Sequence, residues 1–177
     1  MNFKRETTIR KPIEEVWDVL GNQFGEAHRW ASSLNHSQGY GTPTLKGAQC
    51  NNRACDTTQG KIKEVVKRFD PQHHVLTYEV LEGFPFFVDT GVNTWSLSPK
   101  GDSTHLQMNC DIQTKGLVGT IMTPMMRMQM NKLFDEVIED FKYYVEHDGE
   151  PHPRKVKAQR KLAQKKNRRP ADQLPAA

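Results

Sequence analysis

Arg53, Glu64, Tyr78 and Asn93 are the residues of this 177-residue chain whose types could do chemistry together. A guanidinium polarises a carbonyl or pairs with a carboxylate. A glutamate or a tyrosine can exchange a proton with a substrate, and an asparagine amide offers both a donor and an acceptor. Removal of a proton alpha to a carbonyl needs a base and a group that polarises the carbonyl. Glu64 or Tyr78 is the candidate acid or base for such a step, and Arg53 the candidate electrophile. The bland alternative is that the four satisfy one another and only hold strands in register. Histidine adds little: His73 and His74 fall in a turn, His105 on the polar side of a strand, and His147 and His152 beside the C-terminal tail. His36 shares parity with Leu34, which would turn it inward, yet a lone strand histidine is more often a satisfied or surface residue. No metal site is expected. Cys50 and Cys55, five apart on an expected strand, would point to opposite faces, and His73–His74 lacks companion ligands. There is also no glycine-rich phosphate loop or serine nucleophile elbow, and nothing calls for a cofactor.

The elements that must position these residues are mostly strands. After a first strand, Asn2 to Arg10, proline at position 12 suits the start of a short helix. Ile13, Val16, Trp17 and Leu20 give that helix one apolar face, and Gly21 is expected to stop it. A second short helix is expected from about Phe24 to Trp30. From Ser33 to Thr114 the pattern has period two, with turn clusters between six strands at about 33–40, 48–55, 61–69, 74–82, 88–98 and 103–114. Antiparallel partners have position numbers that sum to a constant. A turn near 58–59 therefore sets Arg53 opposite Glu64, one near 71 sets Glu64 opposite Tyr78, and one near 85–86 sets Tyr78 opposite Asn93. All four share parity with Ile62, Val66, Leu76, Val80, Trp95 and Leu97, so a polar row is expected to cross an enclosed apolar face. Buried charges must be paired, which predicts an Arg53–Glu64 ion pair with Tyr78 and Asn93 nearby.

A long helix follows, from about Leu117 to Glu146, with Pro124 either kinking it or marking its true start. Met126, Met130, Leu133, Val137, Phe141 and Val145 form one stripe, widened by Phe134 and Ile138. Five of the seven methionines lie between Met122 and Met130. Methionine is unbranched and polarisable, and a cluster of it lines surfaces that adapt to varied ligands, although it also fills irregular cores. The expected ligand contacts are Arg53, Glu64, Tyr78, Asn93, Trp95, Met108, Met122, Met126 and Met130.

Length suits one domain. Three cysteines, with no apolar stretch in MNFKRETTIRKP, suggest free thiols and a cytoplasmic setting. No apolar run approaches the ~18 residues of a membrane span. The formal net charge of +4 hides a division: nine of the 25 Lys/Arg fall from Arg154 onward, against Asp172 alone among acids, so the preceding body is net acidic. The expected boundaries are a ligand-binding domain over 1–150 and a disordered, proline-containing basic tail over 151–177, with at most a transient helix from Lys155 to Lys166. That charge would suit weak contact with a polyanion, but the tail lacks aromatic residues for base stacking.

The string I-x-K-P-I-E-E-V-W-D-V-L, then Trp30, Gly47-x5-Arg53, Gly60-x3-Glu64, the Phe69-Asp70 turn, Tyr78, the Trp95–Pro99 strand end and KGLVG before the long helix resemble the START-like, or Bet v 1-like (SRPBCC), superfamily. The polyketide cyclase/dehydrase and lipid-transport group is the nearest likeness, over about residues 3–147. The resemblance implies an α+β helix-grip fold: a curved seven-stranded antiparallel sheet, two short helices and one long C-terminal helix enclosing a cavity for a small apolar ligand. Such members bind or carry lipids, polyketides or aromatic molecules, act as cofactor-free cyclases, aromatases or dehydratases, or dock quinone-related or ribosomal partners. The fold alone does not choose among these.

Overall fold

Alternation along the strands builds one sheet with a single enclosed face. In the computed structural model, which describes residues 1–167, seven strands run β1 Asn2–Ile9, β2 Leu34–Tyr40, β3 Asn52–Thr57, β4 Lys61–Asp70, β5 Val75–Glu82, β6 Val88–Lys100 and β7 Ser103–Thr114. The order β1-β7-β6-β5-β4-β3-β2 is an antiparallel meander whose first strand joins beside the last. On β7 Thr104, Leu106, Met108, Cys110 and Ile112 are buried, each separated by a more exposed residue, so the strand has a dry side and a wet side. β3 begins later than its sequence pattern suggests. Residues 41–51 are spent on a loop, so Cys50 precedes the strand and the parity argument about Cys50 and Cys55 does not apply to it.

One register break decides which residues of β4 face inward. Phe69 pairs with Leu76 and Arg68 with Thr77, and continuing that ladder would set Glu64 opposite the exposed Leu81. An extra residue at Lys67 breaks it, so Val66 pairs with Tyr78 and Glu64 with Val80. The expected Glu64–Tyr78 pairing is therefore wrong by two residues, because the turn lies further along than position 71. The facing is nevertheless preserved.

The short helical segment changes pitch along its length and is interrupted at Gln23 and kinked at Glu26. α1, Ile13–Trp17, passes into a π-helical turn at Asp18–Asn22, and a 3-10 stretch follows at Phe24–Arg29. Pro12 caps α1 from just outside it. Gly21 does not stop the helix as expected. It lies inside the π turn, where a Cβ would sit 2.7 Å from the Trp17 ring, so its role is close approach to the indole.

α2, Gly116–Glu146, begins well before Pro124, so the proline is internal and not the start. Its C-terminal half buries Phe134, Ile138, Phe141, Tyr144 and Val145. Phe141 meets Trp30 and Trp95 at ring-centroid distances of 5.1 and 5.7 Å. Arg5 on β1 ties the middle of the helix down, reaching Asp135 at 2.5 Å and Asn131 Oδ1 at 2.8 Å. The N-terminal half is far less buried, with Leu117, Ile121 and Met128 strongly exposed.

The tail departs most from expectation. α3 spans Pro153–Asn167, and its first turn is anchored on the body. Arg154 Nη1 donates to Asp140 Oδ1 at 2.9 Å, and Lys155 Nζ donates to the Leu34 carbonyl at 2.6 Å. Asp140 is fully buried and also accepts from the Ser32 N–H at 2.8 Å. Disorder was expected because the segment lacks large apolar anchors, but buried polar acceptors on the body do the anchoring instead. The part of the expected tail beyond 167 lies outside the described residues.

Candidate functional site

Between the concave face of the sheet and the first half of α2 lies a cavity of about 600 Å³. Its walls come from the helical segment (Leu20, Phe24, Ala27), the sheet (Ile62, Leu76, Val80, Trp95, Ile112) and α2 (Met122, Met125, Met126, Met130, Leu133). It reaches the β3–β4 loop at Thr57–Gly60 and the β5–β6 loop at Gly83–Phe87. Size and mostly apolar lining are those of small-molecule sites.

Arg53, Glu64, Tyr78 and Asn93 all open onto this space. Arg53 and Glu64 face each other across β3 and β4, and Arg53 Nε donates to Glu64 Oε2 at 2.6 Å with both side chains buried. Arg53 Nη1 donates to the Phe24 carbonyl at 2.9 Å, and the guanidinium lies 3.9 Å from the centroid of the Phe24 ring. Burial works against the Arg53 charge, but the Glu64 carboxylate more than compensates, so its pKa is held above the ordinary value. Cys55 Sγ donates to the same Glu64 oxygen at 3.5 Å. Desolvation pushes that thiol up to about 12, with Arg53 opposing the shift.

Tyr78 pairs with Asn93 across β5 and β6, as the turn arithmetic predicts. Its hydroxyl oxygen accepts from Asn93 Nδ2 at 3.1 Å and from Trp95 Nε1 at 3.4 Å. Burial, reinforced by the nearby Glu64 charge, pushes the phenol up to about 12. Two linked groups thus share the wall: an ion pair on β3–β4 and a phenol–amide–indole cluster on β5–β6.

Other residues singled out by sequence fall elsewhere. Met122, Met126 and Met130 line the cavity. Met108 does not: it is fully buried on β7 opposite Trp95 and packs in the core beside the cavity. His36 does not turn inward either. A register shift between Leu34 and His36 puts the imidazole on the exposed side, 4.9 Å from the His28 ring. Sequence reasoning missed Phe24 and Cys55. Cys55 shares parity with Arg53 and was legible in principle, whereas the Phe24 carbonyl reaches Arg53 from a different element and left no pattern. No described helix is long and apolar enough to cross a membrane.

No curated protein matches the chain significantly. Among solved structures, a START superfamily protein from Mycobacterium smegmatis superposes with a TM-score of 0.66 at 16% identity, covering 82% of this chain and 97% of its own. A Thermus thermophilus protein gives 0.65 at 13% identity, covering 85% and 100%. A point mutant of norcoclaurine synthase from Thalictrum flavum, in complex with a transition-state analogue, gives 0.64 at 15%, covering 84% and 96%. At these identities the likeness is one of fold, and it is the helix-grip fold. The family described as polyketide cyclase/dehydrase and lipid transport matches residues 1–146, across all seven strands and α2, and the chain belongs to that family.

Proposed function

We propose that this protein binds or carries a small, predominantly apolar molecule in the cavity beneath α2, with the Arg53–Glu64 and Tyr78–Asn93 groups orienting its polar end. The observation that carries this reading is the space of about 600 Å³, walled by aliphatic, aromatic and methionine side chains with a few convergent polar groups. Methionines on α2 suit a ligand of adaptable shape. A carrier is favoured over a cyclase or dehydratase by the state of the polar groups. A phenol near 12 is a poor proton acceptor or donor at neutral pH, and Arg53 is already engaged by Glu64 and the Phe24 carbonyl.

The test is titration of the folded protein with an environment-sensitive apolar dye. Saturable, micromolar binding is expected, and Met126→Trp, which fills the cavity from α2, should weaken it at least tenfold with little change in melting temperature. Dye uptake that appears only on unfolding, or that ignores the Trp substitution, would sink the reading.

A further inference from the structure

We propose that the cavity selects a neutral ligand bearing a hydroxyl group, an alcohol or phenol on an apolar body, and discriminates against the corresponding carboxylate. This rests on the ligand-binding reading above and specifies the chemistry at its polar end. Among the described residues, Asn93 Oδ1 is the one buried side-chain oxygen or nitrogen with no hydrogen-bond partner. Asn93 is 9% exposed and stands in the cavity wall. Oδ1 is covered as the side chain stands, and a buried acceptor left unpaired is costly, so a ligand hydroxyl that turns the amide toward the cavity gains a bond that the wall itself does not supply.

Beside that acceptor is a donor. The Tyr78 oxygen already accepts from Asn93 Nδ2 and Trp95 Nε1, which leaves its own hydrogen as the group it can offer. With the phenol near 12, that hydrogen is retained at neutral pH. Asn93 Nδ2 lies 3.1 Å from the Tyr78 oxygen, so the other half of the same amide and the Tyr78 O–H are neighbours, and together they match a single hydroxyl oxygen that donates to Asn93 Oδ1 and accepts from Tyr78. An ether or ketone can only accept, and it leaves Oδ1 unpaired. A carboxylate cannot donate at all. It also finds no free positive charge, because the one guanidinium in the wall is paired with Glu64 at 2.6 Å, and the carboxylate pays for desolvation without compensation.

Three probes that share one tail isolate this choice: 4-octylphenol, 4-octylanisole and 4-octylbenzoate, titrated at pH 7 into the wild-type protein by calorimetry or dye displacement. The phenol is expected to bind at least tenfold more tightly than the anisole, and the benzoate more weakly than either. In Asn93→Leu the phenol–anisole ratio should fall below threefold. The wild-type comparison stands without the variant if Asn93→Leu fails to fold. Equal binding of phenol and anisole, or tightest binding of the benzoate, would overturn the proposed selection and leave the ligand-binding reading in place. Failure of all three to bind would overturn both.

Discussion

The Arg53–Glu64 pair sits in a wall that is otherwise apolar, so each residue is tolerable only in the presence of the other. Arg53→Met strands the Glu64 carboxylate and should cost about 3–5 kcal/mol in urea unfolding. Arg53→Met/Glu64→Leu should recover most of that loss, because no charge is left buried. Additive losses in the double-mutant cycle would show that the two are not coupled. The pair was legible in sequence because it depends on one short hairpin, where the turn position alone sets the partners. The Glu64–Tyr78 alignment depends on the next turn and on the bulge at Lys67, and a bulge leaves no trace in an alternating pattern. The orphaned Asn93 Oδ1 was equally invisible, since an unmet hydrogen bond is a property of assembled surroundings.

β4 and α3 are the elements with the most to test. Lys67 is the extra residue in β4, so its deletion should leave Val66 opposite Tyr78 and Glu64 still inward. Its removal costs only an exposed contact to Glu79, and the melting temperature should change by a few degrees at most. Deleting Val65 instead turns Glu64 outward, and both stability and dye binding should collapse. The first turn of α3 makes a different prediction. Truncation after Glu150 removes Arg154 from a fully buried Asp140, which should cost about 2 kcal/mol or more; an unchanged melting temperature would mean that α3 does not hold to the body. Burial lowers the Lys155 pKa from 10.5 to about 8, with Asp140 opposing the shift. Between these values the unfolded chain binds more protons than the native one, so Lys155 makes stability rise with pH from about 8 to 10.5. Below pH 8 the penalty is fully present. Urea unfolding at pH 7.5 and 9.5 should show wild type gaining on Lys155→Met at the higher pH, and no gain would place the ammonium in water.

Across the whole molecule, charge and cavity occupy separate regions. The exposed Lys157, Arg160 and Lys161 project from α3 away from an acidic body, while the pocket is walled by apolar groups around an internally neutral pair. The weak polyanion contact that the basic charge suits would be electrostatic and salt-sensitive. Lys157→Gln/Arg160→Gln/Lys161→Gln should lose most retention on heparin while keeping the melting temperature and dye affinity of the wild type, since none of the three touches the cavity. Retention unchanged by the substitutions would assign the positive field elsewhere.

What the sequence determined by itself was whatever depends on neighbours along the chain. Period-two strands, the apolar stripe of α2 and the Arg53–Glu64 hairpin all follow from local spacing, and the family motifs place them in one known order. Tertiary structure alone decided which polar groups meet across elements. The Phe24 carbonyl came to Arg53, Met108 went to the core and not the cavity, and His36 turned to solvent at a bulge. α3 became part of the body because Asp140 and the Leu34 carbonyl lie buried where Arg154 and Lys155 can reach them. Composition records that a tail lacks apolar anchors, but it cannot record that buried acceptors elsewhere in the chain need its side-chain donors.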